Sequence, residues 1–131
     1  MDFDHVRGEK FKGVGGMFGC SQVRVLAEIA KCELVCACCH RIRTFQRKPK
    51  GVSKAREKIN ELKAHPCVDC GFQFPPVAMD FDHVRGTKTA SIGRMASFTW
   101  SRVVAEVAKC DLVCACCHRI RTRTRRFAKA A

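Results

Sequence analysis

Met79-Asp-Phe-Asp-His83-Val-Arg-Gly86 and Leu112-Val-Cys114-Ala-Cys-Cys117-His118-Arg-Ile-Arg-Thr122 are the two blocks on which the reading of this chain turns. Both occur twice. Met1–Gly8 repeats the first and Leu34–Thr44 the second. Residues 1–47 align with 79–125 without a gap at an offset of 78, with 30 of 47 positions identical. Each copy opens on an Asp-His pair and closes on two cysteines followed at once by a histidine. Carboxylate, imidazole and thiolate at such spacing point to a metal centre before anything else.

Just upstream of the second copy stands a further cysteine pair, Cys67-Val-Asp-Cys70-Gly71, the form of a knuckle that turns both sulfurs toward one ion. With Cys114 and Cys117 it makes two C-x-x-C pairs, enough to enclose zinc in four thiolates, closed to water and therefore structural. The 43 residues between the pairs exceed the gap of a short zinc ribbon. The plainer reading is that free cysteines pack as small apolar residues. Cys110 and Cys116 read as non-ligands, with Cys116 a competitor for its neighbours' place.

Asp82, His83 and His118 form a second constellation. Phosphodiester hydrolysis needs a base to activate water and a divalent ion to neutralise charge on the phosphate and the leaving oxygen. An imidazole suits the base, and a carboxylate with an imidazole can hold one magnesium-type ion. On a regular strand Asp82 and His83 point to opposite faces, while Asp80 shares a face with Asp82. Joint action therefore calls for a bend, which Arg85-Gly86 could supply. Two surface histidines and a solvated aspartate are the competing reading of the same residues.

Around these motifs the pattern is α+β. Alternation over residues 2–6 and 77–84 predicts short strands. Val25, Leu26 and Ile29 predict a helix over residues 21–31, with Ser21 at its N-cap, after a glycine-rich loop at 12–19. Trp100, Val103, Val104 and Val107 predict a core stripe on a second helix over 99–109. Between the copies, Ser53 caps a helix reaching about residue 64, whose Ala55, Ile59 and Leu62 form a narrow apolar stripe. The chain thus divides into a first copy at 1–47, a linker helix within 48–66, and a complete unit at 67–131 that ends in a basic, helical tail.

Units this short need a metal, disulfides or a partner to stay folded. Eleven cysteines, an odd number, offer the first two. No signal-peptide pattern and no apolar run of membrane-spanning length is present, so the expectation is a cytoplasmic chain with reduced thiols that bind metal. The formal charge is +13. It is concentrated in Arg41, Arg43, Arg47, Lys48 and Lys50, and again in Arg119, Arg121, Arg123, Arg125, Arg126 and Lys129. Guanidinium clusters fit phosphate oxygens, so DNA is the expected partner and a membrane is not.

The order Cys67-x-x-Cys70, Asp82-His83, Cys114-x-x-Cys117-His118 closely resembles the HNH endonucleases, the ββα-metal nucleases, and within them the small phage and mobile-element type. The resemblance covers residues 64–122 in full and residues 1–44 in truncated form. It implies an antiparallel hairpin and a helix around one catalytic Mg2+ or Mn2+ ion. In it His83 is the general base, Asp82 and His118 are ligands of that ion, and the four cysteines hold structural Zn2+. Arg119, Arg121, Arg123, Arg125 and Arg126 would meet DNA. One feature departs from the family: its middle asparagine is missing, since Asn60 is the only asparagine in the chain. Another group is then expected to orient His83, a backbone carbonyl being one candidate. A zinc-stabilised nucleic-acid-binding protein without catalysis is the alternative.

The copies differ in one respect. Asp4, His5 and His40 repeat the trio of Asp82, His83 and His118, but no cysteine pair precedes them. Cys36 and Cys39 are left as half a zinc site, and His40 is expected on a poorly fixed turn, making the first copy degenerate. Cys20 or Cys32 is one candidate to complete that half site, and Cys67 with Cys70 is the other.

Overall fold

The computed structural model describes residues 1–49 and 51–128. Lys50 and Lys129, counted above in the basic clusters, lie outside them. The architecture is mixed α+β, with two separate two-stranded antiparallel hairpins. Strand β1 (Asp2–His5) pairs with β2 (Cys32–Val35), and helix α1 (Gln22–Ile29) lies in the connection between them. Helix α2 (Ala37–Arg47) follows, then α3 (Lys54–Glu61). The order then recurs: β3 (Met79–His83), α4 (Trp100–Val107), β4 (Cys110–Cys114) and α5 (Ala115–Ala128). Asp4 faces Glu33 in the first hairpin and Asp82 faces Asp111 in the second, so the register also keeps the offset of 78. Among the described residues no helix is long and apolar enough to cross a membrane.

Small side chains join the two halves. Ala37 and Cys38 at the start of α2 are buried against Cys67, Ala78, Met79, Val113, Cys114 and Ala115. Alanine and cysteine here let the N-terminal ends of α2 and α5 approach closely, and Cys38 Sγ comes within 3.5 Å of Cys116 Sγ. Two ion pairs flank that contact reciprocally. Arg41 donates to Asp80 across the junction at 2.7 Å, and its counterpart Arg119 donates to Asp2. The halves therefore meet through the same residues from both sides, as subunits do around a two-fold axis.

A second core belongs to the C-terminal half alone. Ile59 of α3 is 1% exposed and packs with Ile92, Met95, Val103 and Cys110. The interdomain helix is thus a packing element, and the Ser53 side chain accepts from Arg56 N at 3.3 Å, as the capping position requires. The expected stripe on α4 is only partly covered. Val103 is buried, but Trp100 and Val104 are 43% and 45% exposed. The turn Ile92–Ser97 and α3 reach only the Val103 side of the helix. Helix α1 has no comparable cover, and Leu26, expected in its stripe, is 55% exposed. Ser21 sits at the N-cap of α1 in extended geometry without a side-chain cap bond.

Candidate metal centre and the adjoining cleft

The knuckle forms because Gly71 takes φ +72°, which a side chain would strain, so that Gly71 N bonds Cys67 O at 2.8 Å. Val68 N bonds Leu112 O at 3.0 Å, stitching the knuckle to β4. The result gathers Cys67, Cys70, Cys114 and Cys117, whose sulfurs all lie within 4.8 Å of one another. Four thiolates on a zinc ion at about 2.3 Å stand about 3.8 Å apart, and Cys70 and Cys114 are separated by 4.0 Å. The donor set fits a structural metal ion. Burial opposes ionisation of Cys67, but neighbouring backbone N–H groups outweigh it and draw the thiol down to about 7. Burial pushes Cys117 up, as does hydrogen bonding with the other three sulfurs.

The remaining cysteines stay outside this cluster. Cys110 is buried and turns its thiol to Glu106 O, while Cys116 turns toward Cys38. Among the described residues no other group of cysteines converges this way, so Cys67 and Cys70 go with Cys114 and Cys117. Neither Cys20 nor Cys32 completes a site with Cys36 and Cys39; Cys32 bonds Glu28 O instead.

His118 stands at the first turns of α5, where the thiol pair fixes it, and meets one face of β3. Its Nδ1 lies 2.9 Å from Asp80 Oδ2, and its Nε2 3.5 Å from Asp82 Oδ1. With Asp80 accepting the Nδ1 proton, the Nε2 lone pair faces the Asp82 carboxylate. Asp82 Oδ1 already accepts from Arg125, so a cation already stands at that oxygen. A carboxylate–histidine pair of this kind is how metal-bound imidazoles are usually held. Neighbouring ligands on an octahedral divalent ion stand about 3.0 Å apart, so the pair is close to bridging distance. Asp82 is 3% exposed and also accepts from Arg121 at 3.1 Å and from Arg125 at 3.0 Å. Burial works against its charge, but these guanidiniums hold the carboxyl below the usual range.

His83 points to the opposite face, toward α4. No bend intervenes: β3 keeps its pairing through His83 opposite Cys110. The group that orients His83 is a carboxylate rather than a backbone carbonyl, since Nε2 lies 2.9 Å from Glu106 Oε1. With Glu106 accepting, the proton sits on Nε2 and the lone pair on Nδ1, the arrangement a general base needs. Glu106 is 2% exposed and also accepts from Thr89 N at 2.7 Å and Lys109 Nζ at 2.7 Å. Lys109 above all, against the cost of burial, holds it well below the ordinary carboxylate range. Sequence reasoning missed this residue. The signal was Ala-Glu-x-Ala-Lys, kept in both copies, with Glu three residues after a core-facing valine.

A cleft of about 310 Å3 beside β3 takes in Asp80 and His83 from its two faces, though not Asp82. His83, His118 and Asp80 line it, and Arg41, Lys63 and Lys88 are among the cations around it. Lys63, also unforeseen, donates to Met79 O at 2.7 Å, and burial lowers its pKa. A second cleft, of about 430 Å3, continues past His118 along α5.

The five arginines of α5 divide by helical face. Arg119, Arg123 and Arg126, spaced i, i+4, i+7, line the second cleft. Arg121 and Arg125 turn the other way, to Asp69, Asp82 and Asp111. Arg123 stacks over Phe127 at 5.3 Å.

The first copy repeats the contacts around the two histidines and the buried aspartate. His40 is not on a loose turn: it lies in the eleven-residue α2, with Nδ1 3.0 Å from Asp2 and Nε2 3.7 Å from Asp4. Arg43 and Arg47 hold Asp4, and Glu28 lies 2.9 Å from His5 Nε2. Glu28 is brought to about 2 from its ordinary 4.5, mainly by Lys31 and against burial. A lowered carboxyl contributes stability in full above the unfolded value and loses it as pH falls toward the folded one. Glu28→Gln is therefore expected to flatten the fall in urea midpoint between about pH 4.5 and 2. A wild-type pH dependence in that variant would refute the assignment.

No protein-family model, curated protein or solved structure matches this chain.

Proposed function

We propose that the chain is a metal-dependent HNH-type endonuclease hydrolysing phosphodiester bonds in DNA, built as a tandem pair of ββα units with structural zinc in the second. One observation carries this reading: a single cationic cleft gathers His83, His118 and Asp80 at the edge of β3. His83 Nδ1 takes the proton of the attacking water while Glu106 holds the ring. Asp82 and His118 would hold the divalent ion, which when bound neutralises charge on the phosphate and leaving oxygen. Arg41, Lys63 and Lys88 place and balance the phosphate. Supercoiled plasmid incubated with Mg2+ or Mn2+ should be cut, and chelator should stop it; plasmid left intact with every ion would refute the reading.

Arg119, Arg123 and Arg126 extend the phosphate track along α5. Replacing Arg123 and Arg126 together with alanine should reduce the slope of log affinity against log salt by about 1.8, at about 0.9 per phosphate contact. Fluorescence anisotropy across a salt series measures this, and an unchanged slope would move the DNA path elsewhere.

A non-catalytic nucleic-acid-binding protein is the second reading. It is favoured by Arg121 and Arg125, which already neutralise Asp82 and with which any ion would compete.

A further inference from the structure

We propose that the apolar face left open on the first half, between β1, the turn Val14–Gly16 and α1, docks an amphipathic helix of a partner protein, one with the chemistry of α3. The internal repeat shows what such a face takes. On the second half α3 lies there. Ile59 is buried among Ile92, Met95, Val103 and Cys110, with Phe81 packed alongside. Arg56 crosses the adjoining turn, its Nη1 3.7 Å from where a Cβ on Gly93 would stand. Lys63 bonds Met79 O and lies 5.8 Å from the centre of the Phe81 ring.

At the offset of 78, the first half presents the same floor in Val14, Met17, Val25 and Cys32, with Phe3 alongside. Met17 is buried, but Val14, Val25 and Cys32 are half-buried and Phe3 is 40% exposed. A Cβ on Gly15, the counterpart of Gly93, would meet nothing within 4 Å. Among the described residues there are thus two such faces and one such helix. The α3 of a second copy can enter only by leaving its own place, which trades one burial for another. A helix from a different protein adds burial instead. Grooves of this kind read an apolar stripe at helical spacing. The stripe wanted is that of α3, namely Ala55, Ile59 and Leu62, with a cation placed as Arg56 is, to cross Gly15. On the second half the same helix walls the cleft beside His83, so a partner helix bound here would stand next to His5. The docking face holds whether or not the chain cuts DNA.

A fluorescein-labelled peptide of residues 52–64 is the probe. Titrated with the intact chain, its anisotropy should rise to saturation at one peptide per chain. Amide NMR shifts should appear at Val14, Val25 and Leu26. Ile59→Asp in the peptide should weaken binding by about 10-fold or more, the loss of one buried isoleucine. Gly15→Trp in the chain should do the same with the urea midpoint unchanged, because that position is open. Flat anisotropy would overturn the proposal. So would shifts confined to Ile92, Met95 and Val103, since the probe would then be displacing the chain's own α3. A dimer in sedimentation velocity that Gly15→Trp dissociates would assign the face to a second copy and overturn the partner.

Discussion

Cys67→Ser is expected to release the structural metal and to unfold both halves of the chain together. Zinc held by four thiolates contributes folding free energy on the order of 10 kcal/mol in small modules, comparable to the whole net stability of a typical domain. Cys67 is 1% exposed and belongs to the cluster that also buries Ala37 and Cys38 of the first half. The loss should therefore not stay local: α2 would lose its support along with the knuckle. Cys110→Ser is the control, because Cys110 lies in the other core and its thiol already donates to Glu106 O, a bond a hydroxyl can keep. Elemental analysis and urea unfolding of the three proteins read the outcome. A Cys67→Ser protein that unfolds cooperatively with zinc still bound would sink the proposed assignment, and so would a folded parent with no metal.

The second large effect concerns Glu106. On the hydrolytic proposal, Glu106→Gln is expected to lower cleavage by about 10²-fold or more, within the range attributed to a positioned general base. Both carboxylate oxygens face donors: His83, Thr89 N and Ala90 N on one, Lys109 Nζ on the other. An amide offers only one oxygen. If its nitrogen turns to His83, the ring must accept there and carry its proton on Nδ1, which removes the lone pair that takes the proton from water. If its nitrogen turns to Lys109, two donors oppose each other and the helix contact loosens. Glu106 acts through His83, so it is a positioning residue. DNA affinity, carried by the arginines of α5, should survive in the variant. Parental cleavage in the variant would show that the carboxylate serves folding alone.

Much of the local structure was legible because it depends on neighbours in sequence. The alternation in Asp80-Phe-Asp-His83 gave a strand and placed Asp80 and Asp82 on one face, where His118 meets both. The spacing of Cys67, Cys70, Cys114 and Cys117 gave a four-sulfur cluster, since two tight turns suffice to aim each pair. Ser53 gave a cap, and Ile59 gave a packing face on α3. The stripe on α4 was read less well. Periodicity shows which residues share a side of a helix but not how wide the covering surface is, and Trp100 and Val104 remain half exposed.

What the sequence by itself determined, then, is the repeated order of elements, the four cysteines that cluster and the residue types available for chemistry. Tertiary structure decided how those residues are used. Glu106 could not be picked out as the partner of His83, because the two are 23 positions apart and meet only when α4 folds over the hairpin. The division of the α5 arginines into Arg121 and Arg125, spent on Asp82, and Arg119, Arg123 and Arg126, facing the cleft, follows from which side of that helix lies on β3. The surroundings of the first copy depended on the same kind of information. Its missing knuckle is plain in the sequence, but the support that stands in for it, Ala37 and Cys38 buried against Met79 and Ala115, exists only because burying small apolar surfaces brings the two halves into contact.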